Sequence, residues 1–389
     1  MKLDTQVIHA GRHPEDFLGA VNTPVYRTST AVCNSMEEWD RKLRQQASVD
    51  EPDLFYGRYG TPTSKSLQEA IAELEGGYKS LVYPSGLSAC ATAILAFVSA
   101  DEHVLIPDNV YGPLRQVARS LMQRFRIHVD FYDPAAGADI ESLFRPETRL
   151  VYTEAPGSLT FEMQDIPAIA DVAHRHNALV VMDNTWASPL YFQPFAKGVD
   201  ISVQAATKYI AGHSDVMMGV VTATEATYPR LKSTTHELGL IASPDDCYLA
   251  LRGLRTMPLR LERHWQTGIR LAEFIAGQPE VARVIHPALP GDPGYALWQR
   301  DFTGASGLFA FELRPEMAEK RSALVDALRL FGIGSSWGGY ESLILPVNPL
   351  RSVHLQKHSG TLLRIHAGLE NANDLIADLD QAFAFIRQS

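Results

Sequence analysis

The sequence predicts an α/β fold: a large domain with a mostly parallel sheet, followed by a smaller α+β domain. Continuous apolar runs alternate with helical patterns between residues 61 and 254, which indicates parallel strands covered by helices on both faces. Beyond residue 254 the pattern changes to one long helix and shorter strands. A chain of 389 residues is also too long for one small core. The predicted strands of the large domain are residues 80–83, 103–106, 150–153, 178–182 and 201–203.

The first 60 residues are predicted to form an extended arm that packs on something else. One helix is expected there, near residues 35–46. Any longer periodicity is interrupted by glycine and proline at Gly11, Pro14, Gly19, Pro24 and Pro52.

The last region, residues 255–389, is predicted to begin with a helix over 259–275 and to end with an amphipathic helix over 373–386. Asn371 or Asn373 is expected to cap that final helix. Short strands are expected at 307–311 and 362–366. The predicted division is therefore an arm (1–60), a large domain (61–254) and a C-terminal α+β domain (255–389).

The composition favours an ordinary globular protein that acts on small molecules. The chain is 46% hydrophobic and 21% charged, and its net charge of -10 offers no basic surface for nucleic acid or an anionic membrane. Its three cysteines are scattered, which argues against a disulfide framework and favours the cytoplasm. The longest apolar stretch, residues 87–100, is too short to span a bilayer, and no signal peptide is recognisable.

A glycine turn in the first part of the large domain is a candidate phosphate site. Gly86 follows the predicted strand at 80–83 and opens a helix-like run from Leu87 to Leu95. Free amides and the positive end of the helix dipole meet at such a turn and suit a phosphate. A tight turn that needs glycine only for packing is the alternative.

Two further residues extend the hypothesis to a pyridoxal phosphate site. Asp183 ends the predicted strand at 178–182, where open α/β sheets bind ligands, although a lone acid there could also cap the next loop. Lys208 follows the next apolar strand, an unusual place for a solvated surface charge. A lysine amine can form a Schiff base with the cofactor aldehyde, and an aspartate can keep its pyridine nitrogen protonated.

Several motifs along the chain occur together: FYGRYGTPT at 55–63, EAPGSLT at 154–160, DNTWA at 183–187, QAATKY at 204–209 with GHSD at 212–215, and RIHAGLE at 364–370. In this combination the chain resembles the Cys/Met metabolism family of pyridoxal phosphate enzymes over essentially its whole length. The resemblance implies the aspartate aminotransferase fold, a pyridoxal 5'-phosphate cofactor and a carbon–sulfur lyase. Within the family, SSWGGYESL at 335–343 and PGS at 156–158 resemble the branch that performs β-elimination on L-cystathionine.

The resemblance implies roles for the residues around the cofactor. Lys208 would carry the Schiff base, then remove the substrate Cα proton and protonate the leaving sulfur. Asp183 would pair with the pyridine nitrogen. Tyr111 would stack on the ring and assist exchange of the amines, unless it only fixes the turn at Gly112 and Pro113. The phosphate would be held by Gly86, Leu87 and Thr207, and by Tyr56 and Arg58 of a neighbouring subunit.

The resemblance also implies a substrate pocket and an assembly. Arg364 would hold the substrate α-carboxylate bidentately, the alternative being a surface ion pair with Glu370. Ser336, Trp337 and Ser158 would line the same pocket. The neighbour's contribution makes a dimer the smallest active unit, and the family pattern implies a homotetramer of two such dimers.

Three departures from the family pattern limit these expectations. Ala205 replaces a serine that would offer the phosphate a hydroxyl. Tyr59 stands where some relatives have an arginine for the distal end of the substrate, and Arg115 is the hypothetical substitute. Ser335 lacks the aromatic ring that some relatives carry beside the tryptophan, which predicts a wider pocket.

Other functions stay open from the sequence. A cystathionine gamma-lyase or a broader cysteine-sulfur lyase would use the same cofactor, because substrate placement decides which bond breaks. A regulator that binds the cofactor without turnover is a remote alternative. No metal is expected, since His174, His176 and His213 lack ligand spacing; the first two are interpreted as ordinary residues of a helix end.

Overall fold

The computed structural model of the chain describes residues 1–46, 48–49, 54–353 and 361–388. Its larger sheet has the strand order β1-β7-β6-β5-β4-β2-β3. Only β7 runs antiparallel to its neighbours, so the predicted mostly parallel sheet is confirmed. Two of its strands, β3 and β7, were not predicted. The seven strands are β1 Lys79–Tyr83, β2 His103–Pro107, β3 His128–Tyr132, β4 Thr148–Glu154, β5 Leu179–Asp183, β6 Ile201–Gln204 and β7 Gly219–Ala223.

Helices cover both faces of this sheet, because its central strands are apolar on both sides. Val104 and Val181 pack in the core on one face, and Leu105 and Val180 pack in the core on the other. Helix α4 lies against β6 and β7, and α6 lies against β4 and β5. The helices of this part are α1 Leu3–His9, α2 Met36–Gln46, α3 Pro62–Glu75, α4 Gly86–Leu95, α5 Gly112–Val117, α6 Ile166–Arg175, α7 Ser188–Tyr191, α8 Tyr228–Glu237 and α9 Pro244–Leu254.

The second sheet has the order β10-β11-β12-β9-β8. Its strands are β8 Val281–Ile285, β9 Leu308–Leu313, β10 Gly332–Ile333, β11 Leu343–Pro346 and β12 Leu362–His366; the helices beside it are α10 Met257–Ala276, α11 Tyr295–Asp301, α12 Arg321–Asp326 and α13 Ala372–Gln388. The predicted helices and strands of this region are present. Asn371 accepts the N–H of Asn373 through its side chain, so Asn371 is the cap of α13. No helix in the described ranges has the length and apolar composition of a membrane span.

Short 3₁₀ segments and one π segment connect these elements, at Pro14–Phe17, Gly57–Tyr59, Ala118–Met122, Pro134–Leu143, Phe195–Lys197 and Pro315–Lys320.

The N-terminal arm contains a helix that was not predicted, α1. Val7 on α1 is fully buried against α3, and this apolar contact stabilises a helix too short to form alone. The predicted break at Pro52 lies outside the described residues.

A buried carboxylate joins the loop after β2 to the segment after β11. Asp108 is fully buried and accepts hydrogen bonds from Arg115 at 2.6 Å and from Arg351 at 3.0 Å. It also accepts the main-chain N–H groups of Ser352 and Val353. One side chain thus binds two guanidinium groups and a backbone turn, and it fixes residues 351–353 against the large sheet.

We expect Asp108→Ala to lower the free energy of unfolding by about 3–5 kcal/mol, because the change leaves the buried guanidinium of Arg115 without its carboxylate and leaves Arg351 with Glu162 alone. Urea unfolding followed by circular dichroism measures this loss. The control is Glu141→Ala, which removes an exposed carboxylate paired with Arg175 and should change stability little. Equal effects of the two substitutions would show that Asp108 does not hold the two parts together.

Candidate active site

The candidate site is a cavity of ≈ 430 Å³ at the carboxyl edge of the larger sheet. Parallel strands end at the same edge, so residues distant in sequence converge there. The walls are completed by residues from the second sheet and from the loop before β11. Lining residues include Gly86, Leu87, Tyr111, Ser158, Asp183, Thr207, Lys208, Ser336, Trp337 and Arg364. The structure therefore brings together ten of the twelve predicted site residues.

Lys208 projects its amine into this cavity. The Nζ atom donates a hydrogen bond to Ser336 Oγ at 2.7 Å and lies 5.0 Å from the centre of the Trp337 ring. Burial, with a further contribution from the charge of Arg364, lowers the pKa of Lys208 to about 8. The amine is therefore much closer to its nucleophilic, neutral form at physiological pH than an exposed lysine.

Asp183 lies in the same cavity at the end of β5. Its Oδ1 accepts hydrogen bonds from the hydroxyl of Thr185 at 2.5 Å and from the Thr185 N–H at 3.0 Å. Burial raises the pKa of this carboxyl, and the bonds from Thr185 oppose the rise. Asp183 therefore does cap the loop that follows β5, as the alternative expected. Its carboxyl also lines the cavity, where it can bind a cationic ring nitrogen.

The phosphate end of the cavity is formed by the start of α4. Ser85 caps this helix through its side chain, which accepts the N–H of Ser88. A Cβ at Gly86 would lie 2.8 Å from the Cβ of Ala205, so glycine permits the close approach of these two segments. The turn leaves the first amides of α4 facing the cavity, where they suit a phosphate.

Thr207 lines the cavity, but its hydroxyl is engaged with the main chain. The Oγ1 atom accepts the N–H of Met218 at 2.9 Å and lies 3.1 Å from the Met218 carbonyl oxygen, to which it donates. A phosphate would have to compete with this carbonyl for the hydroxyl proton. With Ala205 carrying no hydroxyl, the backbone amides at Gly86 become the more important phosphate ligands.

Tyr111 stands at the mouth of the cavity at the start of α5, with 39% of its surface exposed. Its main-chain N–H donates to the Glu154 carboxylate at 2.7 Å. Glu154 ends β4 beside Asp183, is buried, and has a pKa raised well above its usual range by that burial and by the neighbouring charge of Asp183. The sequence interpretation gave Glu154 no role, although the strand-end argument applied to Asp183 would have found it.

Arg364, on β12, contributes a guanidinium group to the cavity wall. Only 8% of its surface is exposed, and Nη2 donates to the carbonyl oxygens of Gly334 at 3.1 Å and Ser336 at 3.0 Å. Glu370 instead accepts hydrogen bonds from Ser342, through its main-chain N–H and its hydroxyl. The alternative of an Arg364–Glu370 surface ion pair is therefore wrong.

Tyr56 and Arg58 do not reach this cavity within the same chain. They line a separate pocket, where Arg58 donates to the His236 carbonyl oxygen at 3.0 Å and to the Tyr59 hydroxyl at 2.6 Å. Their predicted contribution to a neighbouring subunit stays a prediction.

The proposed substitute for the missing distal arginine is wrong. Arg115 is 2% exposed, and its guanidinium is engaged by Asp108 and by the hydroxyl of Ser352. Arg115 does not line the cavity, although it follows Tyr111 by only four residues. Arg115 therefore has a structural role, and it could bind a substrate carboxylate only by losing its contacts with Asp108 and Ser352.

His174 and His176 lie at a helix end, as predicted. His174 lies in the last turn of α6 and pairs with Asp200, and His176 caps that helix and pairs with Glu141. Among the residues described, no group of three or more His, Cys, Asp or Glu side chains is placed to hold a metal ion.

The residues of the cavity fit one organic cofactor. A desolvated lysine amine, a strand-end carboxylate and a glycine turn at a helix start match the aldehyde, the ring nitrogen and the phosphate of pyridoxal phosphate. The fold and the site thus define a pyridoxal phosphate enzyme.

The chain belongs to the Cys/Met metabolism PLP-dependent enzyme family, whose model matches residues 4–384. It is 42% identical to the cystathionine beta-lyase MetC of Escherichia coli, with 99% of each chain covered. A putative cystathionine beta-lyase of Rhizobium johnstonii is 47% identical, over 98% of this chain and 96% of the relative. The crystal structure of metB from Corynebacterium glutamicum matches with a TM-score of 0.91 and 28% identity, over 99% of this chain and 98% of that one.

Two relatives with other names bear on the alternatives. The cystathionine gamma-lyase of Sus scrofa is 36% identical over 97% of this chain and 92% of its own length. An L-alanine/L-glutamate racemase of Wolbachia pipientis is 41% identical over 99% of this chain and 97% of its own length. All these relatives resemble a chain whose family is pyridoxal phosphate-dependent, so the cofactor is pyridoxal 5'-phosphate. Because the relatives are named for different reactions, the cofactor does not decide the reaction, which depends on how the cavity holds the substrate.

We expect the cofactor-free protein to capture pyridoxal phosphate with a rate that rises through pH 8, because the neutral amine of Lys208 is the nucleophile and its pKa is about 8. The visible absorbance of the bound cofactor, followed across a pH series, measures this rate. Arg364→Met should move the midpoint to higher pH, since a neighbouring positive charge is lost. A wild-type midpoint near 10 would contradict the burial of the amine.

Proposed function

We propose that the protein cleaves L-cystathionine by β-elimination to homocysteine, pyruvate and ammonia. The observation that carries the proposal is the position of Ser336: its hydroxyl binds the Lys208 amine, and its carbonyl oxygen binds the Arg364 guanidinium. The base and the carboxylate clamp therefore meet at one residue of the cavity wall. A substrate α-carboxylate on Arg364 would place the Cα hydrogen beside Lys208.

The protein's residues divide the reaction between them. When bound, pyridoxal phosphate would supply an electron sink for the pair of electrons left at Cα. Arg364 orients the substrate, Lys208 takes the Cα proton, and the same amine returns a proton to the sulfur as the Cβ–S bond breaks. Asp183 would keep the ring nitrogen of the bound cofactor protonated. Water then replaces the amino group of the three-carbon fragment, which yields pyruvate and ammonia.

A gamma-lyase needs a second proton removal, at Cβ, before sulfur leaves. Trp337 lies in the motif that resembles the β-elimination branch, and its ring forms the cavity wall 5.0 Å from the Lys208 amine. The two relatives named as beta-lyases are 47% and 42% identical to this chain, whereas the gamma-lyase of Sus scrofa is 36% identical. These observations favour β-elimination.

Racemisation of a small amino acid is the second candidate, favoured by the 41% identity to the Wolbachia racemase. Proton removal at Cα is the first step of both reactions. A substrate without a leaving group at Cβ can only regain a proton, and return from the opposite side inverts Cα. A cofactor-binding regulator would perform neither reaction.

The keto acid released from L-cystathionine distinguishes these functions. We expect pyruvate in amounts equal to homocysteine, and no product from Lys208→Ala, which lacks the base. Chromatography of the keto acids and a thiol assay measure the products. 2-Oxobutyrate with cysteine would identify a gamma-lyase, D-alanine from L-alanine as the main turnover would favour the racemase, and a bound cofactor without any product would favour the regulator.

The assembly is part of the proposal. Tyr56 and Arg58 would bind the phosphate in the neighbouring subunit, so that a dimer forms two sites and two dimers form the cytoplasmic homotetramer. Tyr56 is 41% exposed, and Arg58 is held in place by His236 and Tyr59, which supports presentation to a partner. The division into an arm (1–60), a cofactor-binding domain (61–254) and a C-terminal domain (255–389) belongs to the same proposal.

Mixing two inactive variants tests the shared site. Arg58→Ala and Lys208→Ala should each lose most activity, yet a mixed dimer contains one site with neither change. Unfolding and refolding the two together should therefore restore about a quarter of wild-type activity for random pairing. Separately refolded variants, combined afterwards, are the control. Absence of recovery in mixed dimers verified by mass spectrometry would show that Arg58 acts within its own chain.

A further inference from the structure

We propose that His366 is a positioning residue of the substrate pocket: its neutral ring holds the segment Ser336–Trp337–Gly338 against Lys208. Residues 336–338 form the wall segment of the pocket. The inference rests on the proposed function only for its kinetic consequences, because the contact itself is a property of the fold.

One face of β12 holds the wall segment at two points. Arg364 and His366 are two residues apart, so their side chains leave the strand on the same face. Arg364 donates to the carbonyl oxygens of Gly334 and Ser336, and His366 Nε2 accepts the N–H of Gly338 at 3.1 Å. The substrate-binding cation and the buried imidazole thus fix the two ends of the same short segment.

The wall segment has little freedom to move without disturbing Lys208. Gly338 has a φ of +88°, and a Cβ added there would lie 3.0 Å from the main chain and the Cβ of Lys208. Ser336 Oγ is 2.7 Å from the lysine amine, and the Trp337 ring packs against Tyr209 with centres 5.4 Å apart. A shift of Gly338 would therefore move both side chains that face the substrate.

The chemistry of the ring suits this task. His366 is fully buried beside His264, with ring centres 5.0 Å apart. Burial, with the nearby charges of Arg364 and Lys208, lowers the pKa of His366 well below its usual range, so the ring is neutral. Nε2 lies 3.1 Å from the Gly338 nitrogen and 3.3 Å from the Gly339 carbonyl oxygen. The tautomer with its proton on Nδ1 accepts the Gly338 N–H at Nε2, which is the shorter of the two contacts. Gln places an acceptor near the position of Nε2, whereas Phe keeps the ring without one.

We expect His366→Phe to lower kcat/KM for L-cystathionine by on the order of ten- to a hundredfold, mainly through KM, since a displaced wall misplaces the substrate. His366→Gln should recover most of this loss. His366→Asn, whose acceptor falls short of Gly338, should resemble the Phe variant and replaces it if that variant does not fold. Steady-state kinetics of the holoenzymes measures all three.

His103→Phe is the matched control. His103 is also fully buried, but it lies at the start of β2, at the edge of the sheet opposite the cavity, where it bonds Thr148. The substitution His103→Phe should lower Tm, because a buried polar contact is lost, and should leave kcat/KM near the wild-type value. If His366→Phe affects kcat/KM no more than this control does, or if Gln fails to rescue, His366 has only a structural role.

A second readout needs neither substrate nor cofactor. The emission of Trp337 is obtained in cofactor-free protein as the difference between each variant and the same variant carrying Trp337→Phe. We expect a red shift in His366→Phe and His366→Asn, because water reaches the displaced ring, and none in His366→Gln or His103→Phe. Unchanged emission in all of them would overturn the proposal even if the kinetics changed. A shift without cystathionine turnover by the wild type would leave the contact standing and refute the proposed substrate.

Discussion

The burial of one amine governs the rest of the site. Lys208 lies under the wall formed by Ser336 and Trp337, and loss of water is the main cause of its lowered pKa. A lysine in that state can act as nucleophile and as base near neutral pH. It needs apolar surroundings and an oriented hydrogen-bond acceptor, and both come from a segment more than a hundred residues away in the chain.

That dependence makes the contact between the two sheets part of the chemistry. The strand β12 supplies Arg364 and His366, which reach across to the wall segment, while Asp108 binds residues 351–353 beside the large sheet. Each contact joins a charged or polar group to main-chain atoms, and such bonds have narrow geometry. The wall that contains Arg364 and the wall segment is therefore built by the C-terminal part and held in register by polar contacts. Within this chain, the walls that contain Gly86, Asp183 and Lys208 are built by the large sheet and the segments that follow its strands.

The predicted residues that line the cavity on the side of the large sheet share one property, because each follows a strong local pattern. Asp183 and Lys208 come after apolar strands, Gly86 stands between a strand and a helix, and the ends of parallel strands meet at one edge. The two strands that were missed have weaker patterns. His128–Tyr132 mixes charged and aromatic residues, and Gly219–Ala223 begins with glycine. Helix α1 was missed because its stability comes from Val7 packing on α3, a contact that no local pattern contains.

The sequence by itself determined the fold class, the family resemblance with its cofactor, and most of the residues that line the candidate cofactor site, because strand periodicity and short motifs are local. Only the tertiary structure decided which charged residues are available to a substrate. From the sequence, Arg115 and Arg364 both looked suitable for binding a substrate carboxylate. Arg115 is instead paired with Asp108. Arg364 binds the wall segment through Nη2, and its guanidinium also lines the cavity. The contacts of Glu154 and His366 were likewise decided in three dimensions, since a hydrogen bond to a distant main-chain N–H leaves no trace in the surrounding sequence.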